Sequence, residues 1–339
     1  MKILVTGGAG YIGSHTCLAL LNEGYEVVIV DNLCNSSIES IKRIEILANQ
    51  SVIFYNADVR DMVSLENVFH ENSIEAVIHF AGLKSVNESI NIPINYYENN
   101  VGSSIALFNI MSKFNCKILV FSSSATVYGD TAMSPIKEGS QLSANNPYGR
   151  SKLMIEEILQ DLYVSDDTWH IGRLRYFNPV GAHKSGMIGE DPNGIPNNLF
   201  PYISQVAVGR RKKVNIFGGD YDTHDGTGVR DYIHVMDIAD GHIKALEALN
   251  IKSQLLTINL GTGNGYSVLD VIKAFESASG LKIPYKIVGR REGDIASCYA
   301  DTALASSSIN WNASYNLESM CKDAWKWQTL NPNGYQKIG

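Results

Sequence analysis

Cysteine is scarce in this 339-residue chain, and the five present (Cys17, Cys34, Cys116, Cys298 and Cys321) are odd in number and widely scattered. No Cys-x-x-Cys pair occurs, which argues against a disulfide framework or a zinc knuckle and fits a reducing cytoplasm. An excess of positive charge is missing too: 28 Lys and Arg stand against 35 Asp and Glu, a formal net charge of −7. Duplex nucleic acid calls for a concentrated basic face, so no nucleic-acid partner is expected; a small anionic ligand needs only a few convergent arginines. No apolar run approaches the ~20 residues of a membrane span. The run Met1–Thr6 meets a glycine cluster too soon for the apolar region of a signal peptide. Repeats and low-complexity tracts are also absent.

No metal is expected. The eight histidines form no spaced ligand set, and His234 and His242 read as structural. Residues 220–225 mimic a calcium loop but place Asp225 where glycine is needed and Asp231 where glutamate is needed. The run Arg210–Lys213 reads as a solvated helix end, and Asn87-Glu88-Ser89 is a glycosylation triplet without a secretory context.

What is present is an ordinary globular composition, 45% hydrophobic and 19% charged, long enough for one large or two intimate domains. Short apolar runs at Lys2–Thr6, Glu26–Val30, Val52–Tyr55, Ala76–Phe80 and Ile118–Phe121 lack period-two alternation. Strands of that kind belong to a parallel sheet covered on both faces. Helical stretches such as Ile12–Glu23 and Ser64–Glu71 lie between them, so the sequence predicts an α/β fold with a Rossmann-type doubly wound parallel sheet. After about residue 180 the texture changes. Loops at Gly181–Pro201 and Phe217–Arg230 are followed by helices at Val235–Ala248, Val268–Ser279 and Leu317–Trp327. We read residues 1–180 as a cofactor-binding domain and residues 181–339 as a smaller α/β substrate-binding domain, with some exchange of chain between them.

Glycines at Gly7, Gly10 and Gly13 follow the first strand and open the first helix. They allow a tight turn and close backbone approach to a pyrophosphate at a helix N-terminus. Asp31 ends the second strand 18 residues after Gly13, where an acid can bond both ribose hydroxyls and repel a 2′-phosphate, which favours NAD over NADP. Asp58, after the third strand, can cap a helix or meet the adenine edge. Phe80-Ala81-Gly82 ends the fourth strand beside the expected cofactor.

Tyr148 and Lys152 stand at i and i+4, one turn apart on a helix face. A free tyrosine titrates near ~10, so a tyrosine base at neutral pH needs about three units of help from nearby cations such as Lys152 and a nicotinamide ring. Ser122-Ser123-Ser124 follow a strand, where one hydroxyl can relay a proton and the others can cap the turn.

With these residues assembled, the chain resembles the extended short-chain dehydrogenase/reductase superfamily and, within it, the UDP-glucose (UDP-galactose) 4-epimerases, over nearly its full length. The segments that carry the resemblance are Thr6–His15, Asp31–Ser36, His79–Lys84, Phe121–Asp130, Leu174–His183, Gly189–Leu199, Gly226–Asp237 and Arg290–Asp294. It implies catalysis by Ser124, Tyr148 and Lys152. It implies NAD contacts at Tyr11, Ile12, Asp31, Asn32, Leu33, Cys34, Asn35, Ser36, Asp58, Val59, Phe80, Ala81, Gly82, Leu83, Lys84, Asn99 and Phe177. A UDP-sugar pocket is implied at Asn178, Asn197, Asn198, Leu199, Phe217, Arg230, Arg291 and Asp294, and its residue types suit the ligand. Two arginines can grip a diphosphate, Phe217 offers a face to uracil, and Asp294 accepts from ribose.

The implied reaction oxidises the sugar transiently at C4 and reduces it again on the other face. Cys298 falls where the family closes the sugar chamber; a small residue there resembles enzymes that also turn over UDP-N-acetylglucosamine and UDP-N-acetylgalactosamine. The resemblance further implies a homodimer through helices at Pro93–Phe114 and Ser151–Tyr163. A nucleotide-sugar 4,6-dehydratase is the rival within the superfamily, but Ala125-Thr126 follow Ser124 where that chemistry uses an Asp-Glu pair. A non-catalytic NAD-sensing module would have no need of Tyr148 and Lys152 together.

Overall fold

The computed structural model describes residues 1–130, 133–291 and 293–335; of the Arg290–Asp294 segment, Glu292 lies outside them, as do residues 336–339 of the expected second domain. Strand β1 (Lys2–Thr6) turns into α1 (Tyr11–Asn22), followed by β2 (Glu26–Asp31), α2 (Ile38–Ala48), β3 (Ile53–Asn56), α3 (Met62–Glu71) and β4 (Ala76–His79). Helices α4 (Val86–Asn91) and α5 (Pro93–Tyr96) run through a π-helical stretch, Tyr97–Gly102, into α6 (Ser103–Lys113). Next come β5 (Ile118–Ser124), α7 (Pro147–Ser165), β6 (His170–Tyr176) and β7 (Asn178–Val180). The rest is α8 (Leu199–Ala207), β8 (Val214–Phe217), β9 (Val229–His234), α9 (Val235–Ile251), β10 (Leu255–Leu260) and β11 (Gly265–Ser267), then α10 (Val268–Ser279), β12 (Tyr285–Val288), β13 (Ser297–Cys298), α11 (Ala303–Ile309) and α12 (Leu317–Leu330).

Seven parallel strands form the central sheet in the order β10-β6-β5-β4-β1-β2-β3. The chain steps outward from β1 to β3, returns to β4 beside β1, and steps outward on the other side. That reversal opens a crevice at the carboxyl ends of β1 and β4, where Thr6 stands level with Val30 and His79. The inner strands are buried on both faces. Ile3, Val5, Ile29 and Ile78 pack with residues of α1, α2 and α9. Leu4, Val28, Val30 and Val77 pack with residues of α3, α6 and α7. Each such side chain contributes roughly 1.5–3 kcal/mol relative to exposure, which is why these strands read as continuous apolar runs.

The edge strand β10 comes from the second half of the chain and pairs with β6 from Leu255 opposite Ile171 to Leu260 opposite Tyr176. Around β9, which pairs with β7, β11 and β13, and the parallel pair β8–β12, a smaller core gathers Phe200, Ile203, Val271, Phe275 and Met320. The expected continuous helix over Pro93–Phe114 is instead α5, the π-helical stretch and α6. The Gly181–Pro201 loop ends early, at the start of α8, and the Phe217–Arg230 loop is bounded by β8 and β9. Among the described residues no helix is long and apolar enough to cross a membrane.

Candidate active site

The crevice is a cavity of about 670 Å³, within the range of small-molecule sites. Its floor is the glycine turn. Gly7 has φ +72°, and a Cβ on it would lie 2.7 Å from the Ala81 nitrogen; a Cβ on Gly13 would lie 2.3 Å from the Gly7 oxygen. Glycine is therefore what lets β1, α1 and the end of β4 meet. Helix α1 has Gly10 at its N-cap and no side-chain cap, whereas Ser37, Asp61, Asn146, Ser267 and Asn316 cap α2, α3, α7, α10 and α12. Its first-turn N–H groups and dipole suit a phosphate.

Asp31 accepts from Ala9 N at 3.0 Å, Leu33 N at 2.9 Å and Ser36 Oγ at 2.8 Å, tying the glycine turn to the loop after β2. A dinucleotide fits this donor set: anion-binding amides at one end of the cavity wall and a ribose-binding acid beside them. The wall also takes in Tyr11, Ile12, Asn32, Cys34, Asn35, Ser36, Asp58, Val59, Asn99 and the run Phe80–Lys84. Ser124, Tyr148, Lys152, Phe177, Asn178, Asn198 and Leu199 complete the expected residues along it.

Asn146 caps α7 by accepting from Gly149 N at 2.9 Å, and Pro147 opens its first turn, so Tyr148 and Lys152 share the inward face. The Ser124 hydroxyl faces the Tyr148 phenol, whose pKa it lowers against burial, and accepts from Thr126 N at 3.2 Å and Thr126 Oγ1 at 2.9 Å. Of the three serines, Ser124 is both the turn cap and the partner of Tyr148, while Ser122 and Ser123 lie inside β5. Lys152 Nζ donates to the Ser122 carbonyl at 2.7 Å and lies 4.9 Å from the Phe121 ring centre.

Burial pushes the Tyr148 phenol above its ordinary value, with the Ser124 hydroxyl opposing. The Lys152 ammonium is turned to β5 and is itself pulled down to about 8 by burial, with Glu156 opposing.

Asp58 does not cap α3, which is capped by Asp61. Its carboxylate takes Arg60 side-on at 2.9 and 2.8 Å, and Asn32 at 2.9 Å, and these hold its pKa well below the usual carboxylate range. Leu33 has φ +58° and packs against the apolar core instead of the cavity. Asn197 is exposed and donates to Ser85 Oγ at 3.0 Å.

Phe217, Arg230, Arg291, Asp294 and Cys298 form a second group outside the cavity wall. The Arg291 guanidinium lies 4.5 Å from the Phe217 ring centre and its Nε lies 3.0 Å from Asp294 Oδ2. Arg230 stands 3.7 Å from Asp294 Oδ1, next to Cys298 in the register of β9 and β13. Cys298 packs against the small core of Val127, Tyr128, Ile136, Phe177 and Ala300, and burial pushes its thiol up to about 11. His224, Asp225 and Asp270 bring ligand-type atoms within 4.8 Å of one another, but Asp225 is bonded to Ser267 and Thr227, and Asp270 belongs to the capping box of α10.

Three residues at the site were not anticipated. Asn100, buried on the π-helical stretch, accepts from Leu83 N at 2.7 Å and donates to Leu83 O and to Ser151 Oγ, both at 3.0 Å, joining the loop after β4 to α7. Glu190 accepts from Lys84 Nζ and from Asn198 Nδ2, both at 3.0 Å, bridging the two halves of the chain. Glu156 follows Lys152 by another i+4 step, a signal that spacing alone could have supplied.

The chain matches, over residues 4–324, the family model described as GDP-mannose 4,6 dehydratase. It is 57% identical over 336 residues to the UDP-glucose 4-epimerase of Bacillus subtilis (strain 168), covering 99% of each chain. Among solved structures it is similar to the UDP-glucose 4-epimerase from Bifidobacterium longum in complex with NAD+ and UDP, with TM-score 0.96 and 53% identity over 99% of this chain and 100% of that one. The Stenotrophomonas maltophila UDP-glucose-4-epimerase with bound NAD and formylated UDP-arabinopyranose gives TM-score 0.96 and 51% identity over 98% and 99%.

Proposed function

This chain belongs to the UDP-glucose 4-epimerase family, within the wider family of the GDP-mannose 4,6 dehydratase model, and on that premise we propose that it interconverts UDP-glucose and UDP-galactose with NAD held in the cavity. The observation that carries this reading is the convergence of Ser124, Tyr148 and Lys152 on the wall that the glycine turn and Asp31 also form. Bound NAD, held at the glycine turn and Asp31, would supply the hydride acceptor and donor that chemistry at sugar C4 needs. Tyr148 takes the sugar O4 proton and gives it back, and Ser124, facing the phenol, relays that proton. Lys152 anchors the helix that presents the phenol.

Arg230 and Arg291, joined through Asp294, offer the diphosphate two guanidinium forks, with Phe217 beside them for the base. A ligand held at its diphosphate keeps its sugar free to turn over in the cavity. Incubation with UDP-galactose and no added NAD tests this reading: UDP-glucose is expected, whereas a dehydrated keto sugar or no product overturns it. Dehydration is disfavoured because Thr126, not an acid, meets Ser124.

A second reading concerns the sugar. The names of the relatives fit a UDP-glucose/UDP-galactose enzyme, but the small Cys298, packed against the cluster that holds the cavity residue Phe177, favours a chamber that also admits UDP-N-acetylglucosamine and UDP-N-acetylgalactosamine. The chain is also proposed to form a homodimer through α5 to α7, where Ile94, Ile105 and Met154 are exposed. Light scattering of the Ile94→Asp/Ile105→Asp pair tests it, with a monomer expected. Residues 1–180 are proposed as the NAD-binding domain and 181–339 as the UDP-sugar-binding domain, with α9 and β10 returning to the first.

A further inference from the structure

Tyr148, Lys152 and Glu156 stand at i, i+4 and i+8 on one face of α7, and each meets a different one of the three serines that end β5. The Tyr148 phenol meets the Ser124 hydroxyl, Lys152 Nζ meets the Ser122 carbonyl, and the Glu156 carboxylate accepts from the Ser123 hydroxyl. Glu156 is 1% exposed. Arg175, on β6, grips it side-on, Nε to Oε1 at 2.9 Å and Nη2 to Oε2 at 2.6 Å. Arg175 in turn donates to Tyr128 Oη and to the Glu138 carbonyl, both at 3.0 Å.

We infer that Glu156 is a positioning residue of this site: its carboxylate, anchored by Ser123 and Arg175, is the counter-charge of the Lys152 ammonium and fixes α7 in register with β5. The inference rests on the functional reading above only for its effect on turnover. The groups facing Lys152 leave that task to Glu156. His79, from β4, is neutral, its pKa lowered to about 3 by burial and by Lys152 itself. The Ser122 carbonyl and the Phe121 ring, from β5, carry no net charge, nor does the Asn100 amide, which flanks Gly82 opposite Lys152 Nζ. Tyr148 is a phenol held above its ordinary value. Arg175 is a cation and repels. Burial drives Lys152 toward the neutral amine, and the Glu156 charge opposes it.

The test is direct titration of Lys152 in holoenzyme labelled with 15N-lysine, its Nζ resonance identified by its loss in Lys152→Arg. The parent midpoint is expected near 8. Glu156→Gln should lower it by roughly one pH unit or more, move the alkaline limb of turnover down with it, and leave NAD bound. Glu156→Asp should restore most of the shift. If the single exchange strands Arg175 and the chain fails to fold, Glu156→Gln with Arg175→Met removes both charges together and is compared with Arg175→Met alone, below whose midpoint it should titrate. A folded variant that titrates at the midpoint of its reference, the parent or Arg175→Met, overturns the inference, even if its melting temperature falls, because a purely structural Glu156 would do that. Absence of epimerase activity in the parent would count against the functional reading alone, since the Nζ titration stands without it.

Discussion

Lys152 Nζ donates a 2.7 Å hydrogen bond to the Ser122 carbonyl, two residues before the serine whose hydroxyl meets Tyr148. The lysine thus acts on the strand behind the reacting oxygen, and the phenol has Ser124 as its protein partner. Replacing the phenol should therefore remove the proton acceptor and leave the scaffold intact. In Tyr148→Phe, turnover of UDP-galactose is expected to fall by at least roughly 10²–10⁴-fold, with dinucleotide still released on denaturation. Near-parent turnover would remove Tyr148 from the base role.

Alkaline pH should move activity and stability in opposite directions. The folded pKa of Lys152 is lowered to about 8 from 10.5, so between those values the unfolded chain binds more protons than the folded one. This group's contribution to stability therefore rises with pH across that window, while loss of the ammonium lowers turnover. Melting curves and initial rates at pH 7.5, 8.5 and 9.5 check both signs together, after comparison with Lys152→Arg to isolate this group.

Asp31 should govern cofactor identity and retention. Purified protein, denatured, is expected to release NAD into the supernatant; finding NADP, or no dinucleotide from folded protein, counts against the reading. Asp31→Ala strands the donors Ala9 N, Leu33 N and Ser36 Oγ. We expect it to purify largely without dinucleotide and to lose about 1–3 kcal/mol of stability.

Cys298→Tyr probes the sugar chamber. Turnover of UDP-N-acetylgalactosamine is expected to collapse while UDP-galactose turnover survives. The added phenol must be accommodated against the cluster of Val127, Tyr128, Ile136, Phe177 and Ala300 at a cost of ~1–3 kcal/mol. Equal loss on both substrates, or none on either, would sink the idea of a gate at this position.

Much of the nucleotide half was legible because its signals are local. Apolar runs and the glycine turn placed β1 to β5 and α1, and Asp31 closes β2 as expected. Helix α2 went unread, and the helix after Pro93 passes through a π-helical stretch at Asn100 that no hydrophobic period announces. Motif spacing brought Ser124, Tyr148 and Lys152 to one wall, but it could not say which way Lys152 turns, since burial and the Ser122 carbonyl decide that. The arginine pair was readable by residue type alone. That Asp294 takes both guanidinium groups, and that Arg291 covers Phe217, follows from loops folding back across distant sequence.

The position of β10 has a consequence for the chain as it is made. With residues 255–260 still to be synthesised, β6 is an open strand edge carrying Ile171, Leu174 and Tyr176, and the surface of α1 that α9 covers is bare. A nascent chain stopped near residue 180 should thus present an unpaired edge of the kind that templates aggregation. Pulse proteolysis of ribosome-bound chains should find the first half protected only once translation has passed about residue 300, when β10 has cleared the exit tunnel.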